Sequence, residues 1–160
     1  MVAVVADVQV ACDDPDIPAE KKIQTWVSVA VAQSGRAPET SVEVAVRVVD
    51  TDEIQTLNRL YRDKDSATNV LSFPAGDMDG LPADATRQLG DVVICASVVA
   101  AEAMEQGKAL GDHWAHMIVH GTLHLLGFDH DTEAKASEME ALETRILASQ
   151  SVTDPHAGSL

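Results

Sequence analysis

The chain has 160 residues, enough for one domain with a substantial core, and 46% of them are hydrophobic, which excludes a disordered chain. Aromatic residues make up only 3%, so Val, Ala, Leu, Ile and Met must build that core. A formal charge of −15 argues against unaided binding to nucleic acid or an anionic membrane, because long-range steering would be repulsive.

Residues 2–10 (VAVVADVQV) are valine-rich and predict a strand. Pro15 and Pro18 follow in an acidic turn, with Pro18 suited to the first turn of a helix. Ile23, Trp26, Val27, Ala30 and Val31 recur at helical spacing over 19–33, and Gly35 ends that element. Residues 42–49 (VEVAVRVV) alternate, as a half-buried strand does. The stretch Asp50 to Asp52 predicts a cap for a helix whose apolar positions are Ile54, Leu57, Leu60 and Tyr61. A strand at 69–73, a loop from Pro74 to Gln88 and a strand at 89–95 come next. Helices are predicted at 97–106, 111–126 and 132–149, the last with Met139, Leu142 and Ile146 inward. Strands and helices mixed in this order suggest one α+β or α/β layered domain. The N-terminus lacks the basic lead of a signal peptide, and no apolar run approaches the length of a membrane span, so the expected location is the cytoplasm. Cys12 and Cys95 form no CxxC pair and read as buried cysteines of a reducing compartment.

Chemistry concentrates in HGTLHLLGFDH, residues 120–130. His120 and His124 lie four apart and share a helix face. Gly127 can take the left-handed conformation that ends a helix, letting the chain return His130 as a third ligand. Three imidazoles with an open fourth position make a catalytic-type site, zinc by default, although nickel, copper and iron also accept imidazole. The same helix carries His113 and His116. His116 reads as a packing or supporting residue, His113 as partly exposed near the helix start, and His156 as part of a loose tail. Asp129 and Asp131 flank His130 and are expected to orient imidazoles rather than to take protons.

The ligand spacing is also that of the metzincin peptidases, which carry a glutamate directly after the first histidine as general base. Here that position is Gly121, which cannot accept a proton, so a metallopeptidase is disfavoured. A second cluster, Arg59, Arg62 and Lys64, holds three of only 11 Lys and Arg residues. It reads either as the solvated end of a helix or as a phosphate contact.

HGTLHLLGFDH resembles the motif H-G-x-L-H-L-x-G-Y-D-H of the YbeY endoribonucleases, bacterial ribosomal-RNA maturation factors. Leu57, Asn58, Tyr61, Arg62, Asp65, Thr68 and Val70 to Pro74 resemble the family's second block, and LGDVVIC at 89–95 the third. Together with their connections these blocks span most of residues 50–135. The departures are Phe128 for Tyr, Asn69 for Asp, and Ala96-Ser97 for Pro-Glu; none removes a ligand. The resemblance implies a single α+β domain over 1–150, with a small mixed sheet of about four strands, about five helices and a central buried metal-binding helix. A flexible tail over 151–160 completes the chain. It implies a divalent metal, Zn²⁺ above others, on His120, His124 and His130. It also implies catalytic roles for Arg62 and His120, RNA phosphate contacts from Arg59, Arg62 and Lys64, and support of the ligands by His116 and Asp129. The function so implied is metal-dependent cleavage of single-stranded ribosomal RNA, at the small-subunit 3′ end and in ribosome quality control. Ribosomal proteins or a ribosome-associated GTPase are possible partners, with neither DNA nor a membrane involved. The competing readings are a non-catalytic ribosome-assembly factor with a structural metal and, less favoured, a peptidase-like hydrolase.

Overall fold

The structure, a computed structural model, is described over residues 4–75 and 86–152. Residues 2 and 3 of the expected first strand, most of the loop between Pro74 and Gln88, and the tail from 153, His156 included, lie outside the described residues.

Among the described residues, four strands and five helices form a single α+β domain: β1 (Val4–Val10), α1 (Glu20–Gln33), β2 (Val42–Val49), α2 (Thr51–Arg62), β3 (Val70–Pro74), β4 (Arg87–Cys95), α3 (Ala96–Gln106), α4 (Leu110–Leu125) and α5 (Glu133–Ser149). The sheet order is β1-β2-β4-β3, with β3 the one antiparallel strand, so the sheet is mixed as expected. Alternation sets its two faces. Val42, Val44, Val46 and Val48 of β2, with Val92 and Ile94 of β4, face one large core shared with α1, α4 and α5. Val49, Leu71, Val93 and Cys95 face the other way, onto Ile54 and Leu57 of α2. Where β3 crosses the bulge in β4, Gly90 has φ +137, and a Cβ there would overlap Phe73 O.

α1 buries Ile23, Trp26, Val27, Ala30 and Val31, the five apolar positions read from spacing. Pro18 does not enter its first turn: Ala19 is the N-cap and Pro18 precedes it. α2 is capped by the Asp50 side chain, which accepts the Glu53 N–H at 2.9 Å. Two of its apolar positions face away from the core. Leu60 is 64% and Tyr61 66% exposed. Leu60 lies about 120° around the helix from Ile54, off the stripe that meets the sheet. Tyr61 touches only the edge of the Phe73 ring, with centroids 5.3 Å apart.

α4 packs on β3 and β4 and meets α1, α3 and α5. Trp114, Ile118, Val119 and Leu123 are at most 1% exposed. α3 ends at Gly107 in the left-handed conformation, and the short turn after it lays α3 along the first turn of α4. His113 is consequently buried rather than partly exposed, with Nε2 2.9 Å from the Glu102 carboxylate. Both cysteines are free thiols; Cys95 is buried and Cys12 half-buried.

Candidate metal centre

Local geometry assembles the histidines. His113, His116, His120 and His124 climb one side of α4 in edge-to-face contacts, with successive ring centroids 6.1, 6.2 and 4.5 Å apart. At the end of α4 the chain closes a Schellman turn: Gly127 N–H donates to His124 O and Phe128 N–H to Leu123 O, each at 3.1 Å. Gly127 supplies the positive φ of +95 that this turn requires. Leu123 and Phe128, the apolar pair that accompanies such a turn, are both buried. Arg36 covers the turn from outside, its guanidinium carbon 3.7 Å from the Phe128 ring centroid. The reversal brings the exposed His130 back to within 5.1 Å of His124 and 5.8 Å of His120, centroid to centroid.

One ligand nitrogen from each of His120, His124 and His130 lies within 4.8 Å of the others. The hydrogen bonds behind two of these rings decide which nitrogens face the cavity. His124 Nδ1 lies 2.9 Å from Phe128 O, an atom that can only accept, so the proton is on Nδ1. His120 Nδ1 lies 2.6 Å from Glu143 Oε2. Burial alone would raise the Glu143 carboxyl, but the His116 and His120 imidazoles bonded to it hold it well below the usual carboxylate range, so it too accepts. In the neutral rings both Nε2 atoms therefore turn lone pairs toward each other, 3.0 Å apart. Such a pair repels unless a proton or a cation shares it. Burial, and next the His120 ring, push His124 below the ordinary histidine value, which disfavours a proton on His124. Ligand nitrogens on a tetrahedral zinc sit about 3.3 Å apart, so the spacing and donor type fit a divalent cation with imidazole preference.

These rings open into a cavity of about 600 Å³ whose far wall includes Asn58, Arg62, Lys64 and Asn69. Asn58 and Arg62, four apart on α2, both face it. Arg62 Nη2 donates to Ser72 O at 3.0 Å on the outer edge of β3. Past the helix, Asp63 takes φ +58 and Lys64 N–H returns to Asn58 O at 3.2 Å, which turns Lys64 to the cavity. Arg59 is exposed and is not part of that wall, although it sits three residues from Arg62. Asp129 lines the cavity, but its Oδ1 accepts the His130 backbone N–H at 2.7 Å, a bond that also lowers its pKa. Asp131 pairs with Lys135 at 3.5 Å. Among the described residues neither carboxylate is hydrogen-bonded to an imidazole. That role falls to the Phe128 carbonyl and to Glu143, which sequence reasoning missed. The available signal was a carboxylate beside Leu142 on the inward face of an amphipathic helix.

The absence of a peptidase base has a steric cause. A Cβ on Gly121 would lie 2.8 Å from Val92 Cγ1 and 3.3 Å from Ser72 Oγ and Val70 Cγ2. The Gly121 carbonyl accepts the Ser72 hydroxyl at 2.9 Å, so α4 is bolted to β3 where a glutamate would have to fit.

A family model described as Endoribonuclease YbeY matches residues 8–151. An Endoribonuclease YbeY of Halorhodospira halophila is 53% identical over 139 residues, 87% of this chain and 88% of that protein. One of Colwellia psychrerythraea is 45% identical over 152 residues, 95% of this chain and 96% of that protein. The solution structure of TM1509 from Thermotoga maritima has the same fold, with a TM-score of 0.53 at 20% identity over 98% of this chain and 99% of that one.

Proposed function

This chain belongs to the YbeY family of endoribonucleases, and we propose that it cleaves single-stranded ribosomal RNA with a divalent metal held by His120, His124 and His130. The observation that carries this reading is a single cavity lined both by the three imidazoles and by Arg62 and Lys64, in a chain of net charge −15. His120, His124 and His130 would hold a divalent cation, zinc by default, which would supply Lewis acidity toward a phosphodiester oxygen or a water. His120 and His124 present neutral nitrogens because Glu143 and Phe128 O hold the protons on the opposite side of each ring. Arg62 is anchored through one N–H on Ser72 O, and the rest of its fork stabilises charge developing on phosphate, a role typically worth about 3 kcal/mol. Lys64 adds a backbone contact of the sequence-independent kind. Asp129 is the one carboxylate among the described residues of the wall. Committed to the His130 N–H and weakened as a base, it positions that ligand rather than accepting a substrate proton.

The substrate end is the 3′ end of small-subunit ribosomal RNA, and the setting is ribosome maturation and quality control in the cytoplasm. Because the acidic surface repels free RNA, delivery by ribosomal proteins or a ribosome-associated GTPase fits better than capture from solution. No helix among the described residues is long and apolar enough to cross a membrane. A purely structural metal is the weaker reading, since the three-imidazole group has no fourth protein ligand among the described residues.

The test is cleavage of a structured ribosomal RNA fragment with and without chelator, beside a folded His124→Ala protein. Loss of cleavage in both arms is expected. Cleavage that persists after complete metal removal overturns the mechanism.

A further inference from the structure

Glu143 lies on α5, 23 residues from His120 in sequence, and is 1% exposed. Its two oxygens reach two rungs of the histidine ladder. Oε2 is 2.6 Å from His120 Nδ1, and Oε1 is 3.4 Å from His116 Nε2. An ionised carboxylate only accepts, so each ring must bring a proton to it. In the neutral His120 ring this uses Nδ1–H and leaves Nε2 bare, 3.0 Å from the Nε2 of His124. With the proton on the other nitrogen, the atom needed by a cation would be blocked and Glu143 would face a lone pair.

We propose that Glu143 is the positioning residue of this centre: it locks His120 in the Nδ1–H tautomer and fixes the ring plane, while His116 steadies the second carboxylate oxygen. The inference rests on the reading that His120 binds metal, and it adds a residue from a different helix to that site. Carboxylates behind metal-binding histidines act in this way, and losing one typically lowers metal affinity about 10–100-fold. His116, His120 and Glu143 are also close enough to be considered as a second cation site. The 2.6 Å contact argues otherwise, because two ligand atoms on one zinc stand about 3.3 Å apart whereas a charge-assisted hydrogen bond spans about 2.7 Å.

Two measurements test the assignment. In the metal-free wild-type protein, proton–nitrogen NMR of the histidine rings reads the His120 tautomer directly. Nδ1–H is expected, and Nε2–H overturns the proposal without any variant having to fold. Chelator competition with Zn²⁺ then compares wild type with Glu143→Gln, whose amide cannot accept from both rings. A 10–100-fold loss of affinity is expected, with one metal per chain in the wild type. Unchanged affinity, or two metals per wild-type chain, overturns it. Failure of the underlying metal reading has a separate signature, equal Zn²⁺ uptake by wild type and a folded His124→Ala protein.

Discussion

Gly121 and Gly111 lie on the same helix and should respond to alanine in opposite directions. At Gly121 the new methyl would stand 2.8 Å from Val92 Cγ1, against about 3.5–4.0 Å for a relaxed carbon–carbon contact. Val92 belongs to the central strand β4 and is 0% exposed, so it has nowhere to retreat. Overpacking of this kind costs about 1–3 kcal/mol, and the gain from replacing glycine in a helix returns about 0.5–1 kcal/mol. The net expectation is a loss of up to about 2.5 kcal/mol, or a Tm lower by up to roughly 10 °C for a domain of this size. Gly111, in the first turn of α4, has nothing within 4 Å of its added Cβ. There the helix gain stands alone, and Tm should rise by about 1–4 °C. Thermal unfolding of the two metal-free variants, followed by circular dichroism, gives both numbers. If both substitutions raise Tm alike, α4 does not press on β3 and β4 as described, and the steric account of the missing peptidase base fails with it.

Other consequences follow from the same geometry. Arg62→Gln should lower RNA cleavage about 10²–10³-fold with metal content unchanged, while Arg59→Gln, off the cavity wall, should stay within about twofold; equal effects would show that the two arginines share a role. Arg36→Leu removes the cation above Phe128 and a half-exposed ion pair to Glu138 at 3.2 Å. Its cost should be about 0.5–1 kcal/mol by urea titration, mostly from the ring contact. For Glu143 the folded-state pKa lies below its ordinary value of 4.5, so its contribution to stability is complete above pH 4.5 and fades as the pH falls below that value. Urea midpoints of the metal-free protein between about pH 6 and 3 should therefore drop more steeply for wild type than for Glu143→Gln, and parallel curves would contradict the assigned charge state.

Much of this centre was legible because it is built from short-range geometry. The four-residue spacing of His120 and His124, and the ability of Gly127 to close a Schellman turn, are properties of a dozen consecutive residues, and any α4 long enough to form would bring His130 back. The buried stripe of α1 and the alternating valines of β2 are equally local, because helix and strand periods are set by the backbone alone. Leu60 shows where periodicity runs short: an apolar residue 120° off a stripe is read as core only if a second element waits for it, and α2 meets one sheet face alone.

What the chain could not announce depends on which elements meet. Glu143 was visible as a carboxylate on an inward face, but its purpose required α5 to lie against α4 at the level of His120. The burial of His113 required α3 to fold back onto the first turn of α4, and the separation of Arg62 from Arg59 required β3 to offer the Ser72 carbonyl to one of them. The sequence by itself determined which three imidazoles come together, since their geometry closes within one helix and one turn. Only the tertiary structure decided which nitrogen His120 presents, because the acceptor for its ring proton, Glu143, is brought to it by α5.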